Sequence, residues 1–169
     1  VRAVYNSQDH ALWVREFDKD STWNIHNGLQ SLITGIFHLG SLGYPYILPD
    51  MIGGNAYGDN NISSNSFFYG NIPNKELFTR WCYANALLPA IQYSITPWQY
   101  DQETSNLCKN ALKIRNQYMD TIIKLAEISF ITGEPIIKPL WLYDPFDPTC
   151  QWINDQFLLN YTIIVPIMQ

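Results

Sequence analysis

The sequence predicts an α/β chain built from strand, carboxylate and helix in repeating order, the layout of a βα-barrel that carries its chemistry at the strand ends. Asp18, in the run Arg15-Glu-Phe-Asp-Lys-Asp-Ser-Thr-Trp23, and Asp50, in Tyr46-Ile-Leu-Pro-Asp-Met-Ile-Gly-Gly54, each end an apolar stretch, and one amphipathic helix pattern lies between them. After Gly133 the alternation gives way to consecutive β-like segments. That change predicts a boundary, with a partial barrel over residues 1–132 and the start of a β domain over 133–169.

The elements follow in order. Val1-Arg-Ala-Val-Tyr5 has the composition of a short strand, and Ala11-Leu-Trp-Val14 is a second apolar run that delivers Asp18 to a loop. Ser21 or Thr22 is placed to cap the next helix, whose residues Leu29, Leu32, Ile33, Ile36 and Phe37 fall on one face before Gly40 and Gly43 stop it. Tyr44-Pro-Tyr-Ile-Leu48 is the next strand, and residues 53–73, rich in Gly, Asn and Ser, form a long loop that reads equally as a gate over a barrel site or as a surface insertion. Asn74 caps a helix over about 75–88, with Glu76 one turn before Arg80. Ala90-Ile-Gln-Tyr-Ser-Ile95 is a third barrel-like strand that leads to Thr96-Pro-Trp98, with Trp98 at the rim. Leu107, Ile114, Tyr118, Ile122 and Leu125 share a face of the longest helix, over about 101–130, with a break expected near Met119. Pro135-Ile-Ile-Lys-Pro-Leu-Trp-Leu142 and Phe157-Leu-Leu-Asn-Tyr-Thr-Ile-Ile-Val165 then read as β segments around a turn-rich Asp144-Pro-Phe-Asp-Pro148.

Composition narrows the function. With 47% hydrophobic residues in 169, the chain has material for a core, which excludes disorder. A net charge of −5, with Lys and Arg scattered, offers no basic stripe for a phosphate backbone, so nucleic acid is excluded as a partner. Cys82, Cys108 and Cys150 match neither a metal-ligand spacing nor a complete disulfide framework and read as buried thiols. Asn61-Ile-Ser63 and Asn160-Tyr-Thr162 are acceptor sequons in a secretory setting. No apolar run reaches membrane-span length. The chain opens at Val1 directly on strand-like sequence, which reads as a piece of a longer protein.

An Asp at a strand end, flanked by other acids and close to an Arg, is what glycoside hydrolysis requires of its proton donor. The wider pattern resembles glycoside hydrolase family 31 in order and spacing. It comprises Arg2 sixteen residues before Asp18, Trp23 five after it, Gly43-Tyr-Pro-Tyr-Ile-Leu-Pro-Asp-Met-Ile-Gly-Gly54, Glu76-Leu-x-x-Arg-Trp81 and Gly133-Glu-Pro-x-x-x-Pro-Leu140. The resemblance runs nearly end to end. It implies strands six to eight of a (β/α)8 TIM barrel followed by a β-sandwich, and a retaining α-glycosidase that works with two Asp residues. Asp18 occupies the family's acid/base position, Arg2 its substrate-binding arginine, and Asp50 an acidic motif that shapes the sugar pocket. Trp98 is an aromatic for the substrate, while Asp20 has no counterpart and is a helix-start residue.

Two departures qualify that implication. The family nucleophile lies on the fourth strand, upstream of Val1, so residues 1–169 alone are expected to be inactive; without that second carboxylate, Arg15 would favour ionised Asp18. In the family's α-glucosidases a sugar-contacting His follows the eighth strand, where this chain has Ser94; His10, His26 and His38 do not fill the place, the latter two falling in the helix pattern. The Ser is shared with a branch whose resemblance implies α-galactosidase activity on a small α-glycoside and residence in the endoplasmic reticulum lumen, anchored through a segment outside this chain. An α-glucosidase and an inactive sugar-binding or regulatory protein are the alternatives. The chemistry calls for no cofactor and no metal.

Overall fold

A computed structural model describes residues 3, 4, 6–10, 12–55 and 72–168. Arg2, Asn61 and most of the expected 53–73 loop lie outside the described residues. Strand β1, Val14–Arg15, pairs in parallel with β2, Ile47–Leu48, in the register Val14 to Ile47 and Arg15 to Leu48. Amide bonds from Val14 to the Tyr46 carbonyl and from Glu16 to the Leu48 carbonyl, both 2.9 Å, extend the ladder at each end. Past β2, Ile52 bridges Tyr93 in the same parallel sense. Three chain segments therefore run side by side with helices between them, as expected of adjacent barrel staves, although the regular strands are short. Ala3 and Val4 are not in a strand, and Ala90–Ile95 makes one bridge instead of an extended one.

The first helix starts later than the Ser and Thr pattern suggests. A 3-10 turn, Leu29–Ser31, leads into α1, Leu32–Ser41. Neither Ser21 nor Thr22 caps it. Ser21 Oγ instead donates to the Gly53 carbonyl at 2.6 Å, and the Asn24 carboxamide oxygen collects the amides of His26, Asn27 and Gly28 at 2.9–3.1 Å. This Asn-centred turn uses the chain from 24 to 28 as a loop, so His26 sits outside any helix and Asp20 is no helix-start residue. The expected apolar face is the real one: Leu29, Leu32, Ile33, Ile36 and Phe37 are all buried.

Helix α2, Lys75–Asn85, is capped by Asn74, whose side chain accepts from the Leu77 amide at 2.9 Å, and Arg80 reaches back to Glu76 at 2.8 Å. Helix α3, Gln102–Thr132, runs 31 residues without a break at Met119. Its buried stripe is Thr104, Cys108, Ala111, Ile122 and Ser129; Leu107 is half-buried and Ile114 exposed, contrary to the expected face. Small side chains at 104, 108 and 111 let α2 approach closely, so proximity to α2 and not hydrophobicity selects the face. Arg115 from α3 donates to the carbonyls of Ala86, Leu88 and Pro89 at 3.1, 2.5 and 2.8 Å, bracing the turn that follows α2. Gly133 ends α3 with φ +75°, and its amide bonds to the Ser129 carbonyl at 2.9 Å.

Beyond Gly133 the β reading needs two corrections. Leu140–Tyr143 forms a short helix, α4, after Pro139, and only Lys138 of that stretch bridges to Leu158. Phe157–Val165 is a hairpin and not one strand: β3, Phe157–Leu159, pairs antiparallel with β4, Thr162–Ile164, across a turn where Asn160 takes φ +56°. Asn tolerates that conformation well. Cys82 and Cys108 are buried as expected, whereas Cys150 is only half-buried.

Candidate active site

The two carboxylates meet because parallel pairing puts the ends of β1 and β2 side by side. Arg15, the last residue of β1, holds both: Nη1 donates to Asp18 Oδ1 at 2.6 Å and Nη2 to Asp50 Oδ1. The second oxygen of Asp50 accepts the Lys19 amide at 2.6 Å. Asp50 is 0% exposed, with both oxygens engaged, while the Asp18 side chain is 49% exposed. Burial pushes the Asp50 carboxyl above the usual range, and the Lys19 and Met51 amides and the Arg15 charge oppose it. One acid is thus a fixed internal group and the other faces outward beside exposed Phe17.

The strand-end loops are laced together by main chain. The Lys19 carbonyl accepts the Asn55 amide at 2.8 Å, and Ser21 bonds Gly53 as above. Gly53 and Gly54 have φ +96° and +68°, and a Cβ on Gly54 would stand 2.8 Å from the Lys19 carbonyl oxygen. Two consecutive glycines are required there by conformation and by space. Ser94, the residue in the expected His position, donates its hydroxyl to the Ile52 carbonyl at 2.7 Å, which ties the third segment to the Asp50 loop.

Trp98 lies in a 3-10 turn, Pro97–Gln99, and is 74% exposed. Trp23 is partly buried, with the Arg80 guanidinium 5.8 Å from its ring centre. Among the described residues no group of three His, Cys, Asp or Glu side chains could hold a metal ion.

Sequence reasoning missed Glu16 and Lys19. Both sit in a charged run that reads as solvated, yet they are 1% and 3% exposed and pair at 2.9 Å beneath the loop. Burial pushes Glu16 up to about 7 against the opposing pull of Lys19. The one available signal was Gly35 on the apolar side of α1: a Cβ there would lie 1.6 Å from Glu16 Oε1.

A parallel strand pair with acids at its C-terminal ends, helices returning between strands and a glycine-built loop is the layout of neighbouring staves of a βα-barrel. The Glycosyl hydrolases family 31 TIM-barrel domain model matches residues 3–125, and the chain belongs to that family. It is 39% identical to the myogenesis-regulating glycosidase of Mus musculus over its whole length, which is 24% of that protein. It is 31% identical to the SITS-binding protein of Tetronarce californica, over 98% of this chain and 22% of the relative. The crystal structure of glucosidase II alpha subunit bound to Glc1Man2 superposes with a TM-score of 0.76 at 20% identity, covering 93% of this chain and 16% of that one. A family 31 α-xylosidase from a soil metagenome, complexed with xylose, gives 0.75 at 19% identity over 92% and 25% of the two chains. The chain spans about a quarter of the length of these two curated relatives.

Proposed function

We propose that these residues form one side of the active site of a retaining α-glycosidase, with Asp18 as its proton donor and galactose as the sugar. The contrast between the two acids carries this reading. Asp50 is sealed with both oxygens engaged, which suits it to shape the pocket and makes it unfit as a nucleophile; the Asp18 side chain is half-exposed at an open face, where a leaving oxygen can reach it. The second carboxylate of the pair comes from outside these 169 residues. Arg2 orients the sugar hydroxyls and Trp98 stacks on the ring or its aglycone.

Galactose is the reading of Ser94 in the place where the family's α-glucosidases have a sugar-contacting His. An α-glucosidase reading is favoured by the names of other relatives, such as alpha-glucosidase 2 of Bacillus thermoamyloliquefaciens at 25% identity. The resemblance of the motifs carries with it, as part of this proposal, residence in the endoplasmic reticulum lumen and a glycan or small α-glycoside as substrate. Among the described residues no helix is long and apolar enough to cross a membrane.

The deciding experiment uses the full-length protein with unactivated α-galactosides and α-glucosides. Asp18→Asn is expected to lower kcat by about 10²- to 10⁴-fold while leaving the fold intact. Undiminished turnover in that variant excludes Asp18 as the acid, and faster cleavage of the glucoside by the wild type reassigns the sugar.

A further inference from the structure

The Glu16–Lys19 pair takes no part in the proposed chemistry, yet the fold maintains it at evident cost. Lys19 Nζ reaches Glu16 Oε1 at 2.9 Å and Ser31 Oγ at 3.0 Å, and Ser31 in turn donates to the Gly28 carbonyl at 2.8 Å. Burying two charges is often worse for stability than an apolar pair of the same volume. The Glu16 carboxylate also fits only because residue 35 of α1 is glycine, which is a poor residue inside a helix. What the pair holds still is the main chain at 19. The amide of that residue seats Asp50 Oδ2 at 2.6 Å, its carbonyl takes the Asn55 amide at 2.8 Å, and the residue before it is Asp18. Arg15, gripping Asp50 and Asp18 with two nitrogens of one rigid fork, passes any displacement of one carboxylate to the other.

We propose that the buried Glu16–Lys19 ion pair, braced by Ser31 and accommodated by Gly35, is a positioning clamp that fixes the Asp18–Lys19 main chain and thereby aims Asp18. Neither residue touches substrate. The inference rests on Asp18 being the proton donor.

The test uses three variants of the full-length protein. Gly35→Ala places a methyl where Glu16 Oε1 lies while improving helix propensity, Lys19→Met removes the ammonium group at similar length, and Glu16→Gln with Lys19→Met removes both charges. Misaiming an acid by about 1 Å costs on the order of 10²-fold, so Gly35→Ala and Lys19→Met are expected to lower kcat by at least tenfold with KM within twofold. The double variant should regain thermal stability relative to Lys19→Met without regaining kcat, because no buried charge is left unpaired but the clamp is still absent. Unchanged kcat in variants that unfold at lower temperature overturns the proposal and leaves a purely structural pair. Amide hydrogen exchange in a peptide covering residues 17–20 tests the clamp independently of turnover. Exchange at least tenfold faster in Lys19→Met supports it, and unaltered protection overturns it. That readout stands even where Asp18→Asn fails to affect hydrolysis, which separates failure of the clamp from failure of the glycosidase reading.

Discussion

At the scale of single residues, electrostatics divides the acids of this chain into different kinds of group. The Lys19 and Met51 amides and the Arg15 guanidinium together hold the buried Asp50 charge, so Arg15→Met leaves that carboxylate without its cation and is expected to destabilise the protein by on the order of 3 kcal/mol at neutral pH. The loss should shrink as pH falls, because burial already favours the protonated form of Asp50; urea denaturation at two pH values checks both points. Glu16 gives a second test. Its pKa in the fold is about 7, above the ordinary 4.5, so its contribution to stability is fully present below about pH 4.5 and is lost as pH rises through 7. Lys19 and Asp50 are the charges that face it. Glu16→Gln removes that titration and should flatten the stability profile between those pH values by on the order of 3 kcal/mol, read from denaturation midpoints. Asp18 was legible in the sequence through its motif and spacing. Glu16 was not, because charge in a short acidic and basic run gives no sign of which side chains a neighbouring helix will cover.

At the scale of elements, the chain shows where local pattern suffices and where contact overrides it. The α2 start was readable because an N-cap and an i,i+4 pair are local interactions; Asn74→Ala is expected to cost about 1 kcal/mol in thermal or chemical unfolding. The α2 end, at Asn85 and not near 88, was not readable, since the turn that follows it has its Ala86, Leu88 and Pro89 carbonyls held by Arg115, about thirty residues away. Arg115→Met should cost on the order of 2 kcal/mol, more than the typical surface change, because three carbonyls lose a charged donor. The expected break at Met119 and the expected strand at 135–142 failed for related reasons. Helix α3 continues through Met119 because nothing in 102–132 breaks a helix, its buried residues being spread over different partners along its length, and a run bounded by Pro135 and Pro139 lacks the amides for a regular ladder. Phe157–Val165 looked like one strand because its turn is built on Asn160 without a glycine. Gly54→Ala tests the loop pairing: with φ +68° and a carbonyl 2.8 Å from the added methyl, it should weaken both stability and kcat in the full-length protein.

At the scale of the whole molecule, the parallel bridging of three segments joined by helices matches the barrel framework of family 31, and the catalytic pair is proposed to be completed by residues beyond this chain. Residues 1–169 by themselves are therefore expected to show no hydrolysis of aryl α-glycosides, a result that a sensitive fluorogenic assay can overturn. They should also self-associate, since Trp13, Phe17, Phe130, Ile131 and Ile167 are exposed apolar groups; light scattering of the purified chain reports this. The amino-acid sequence alone determined the family motifs, which are read from residue order and spacing, and the apolar face of α1 and the cap of α2, which depend on residues within a few turns of one another. Only the tertiary structure decided that Arg15 would hold Asp18 and Asp50 together, that one would be sealed and the other open, and that an ion pair would lie beneath them against a glycine. Those outcomes depend on which strand ends become neighbours and on what a helix then covers, and no local pattern carries that information.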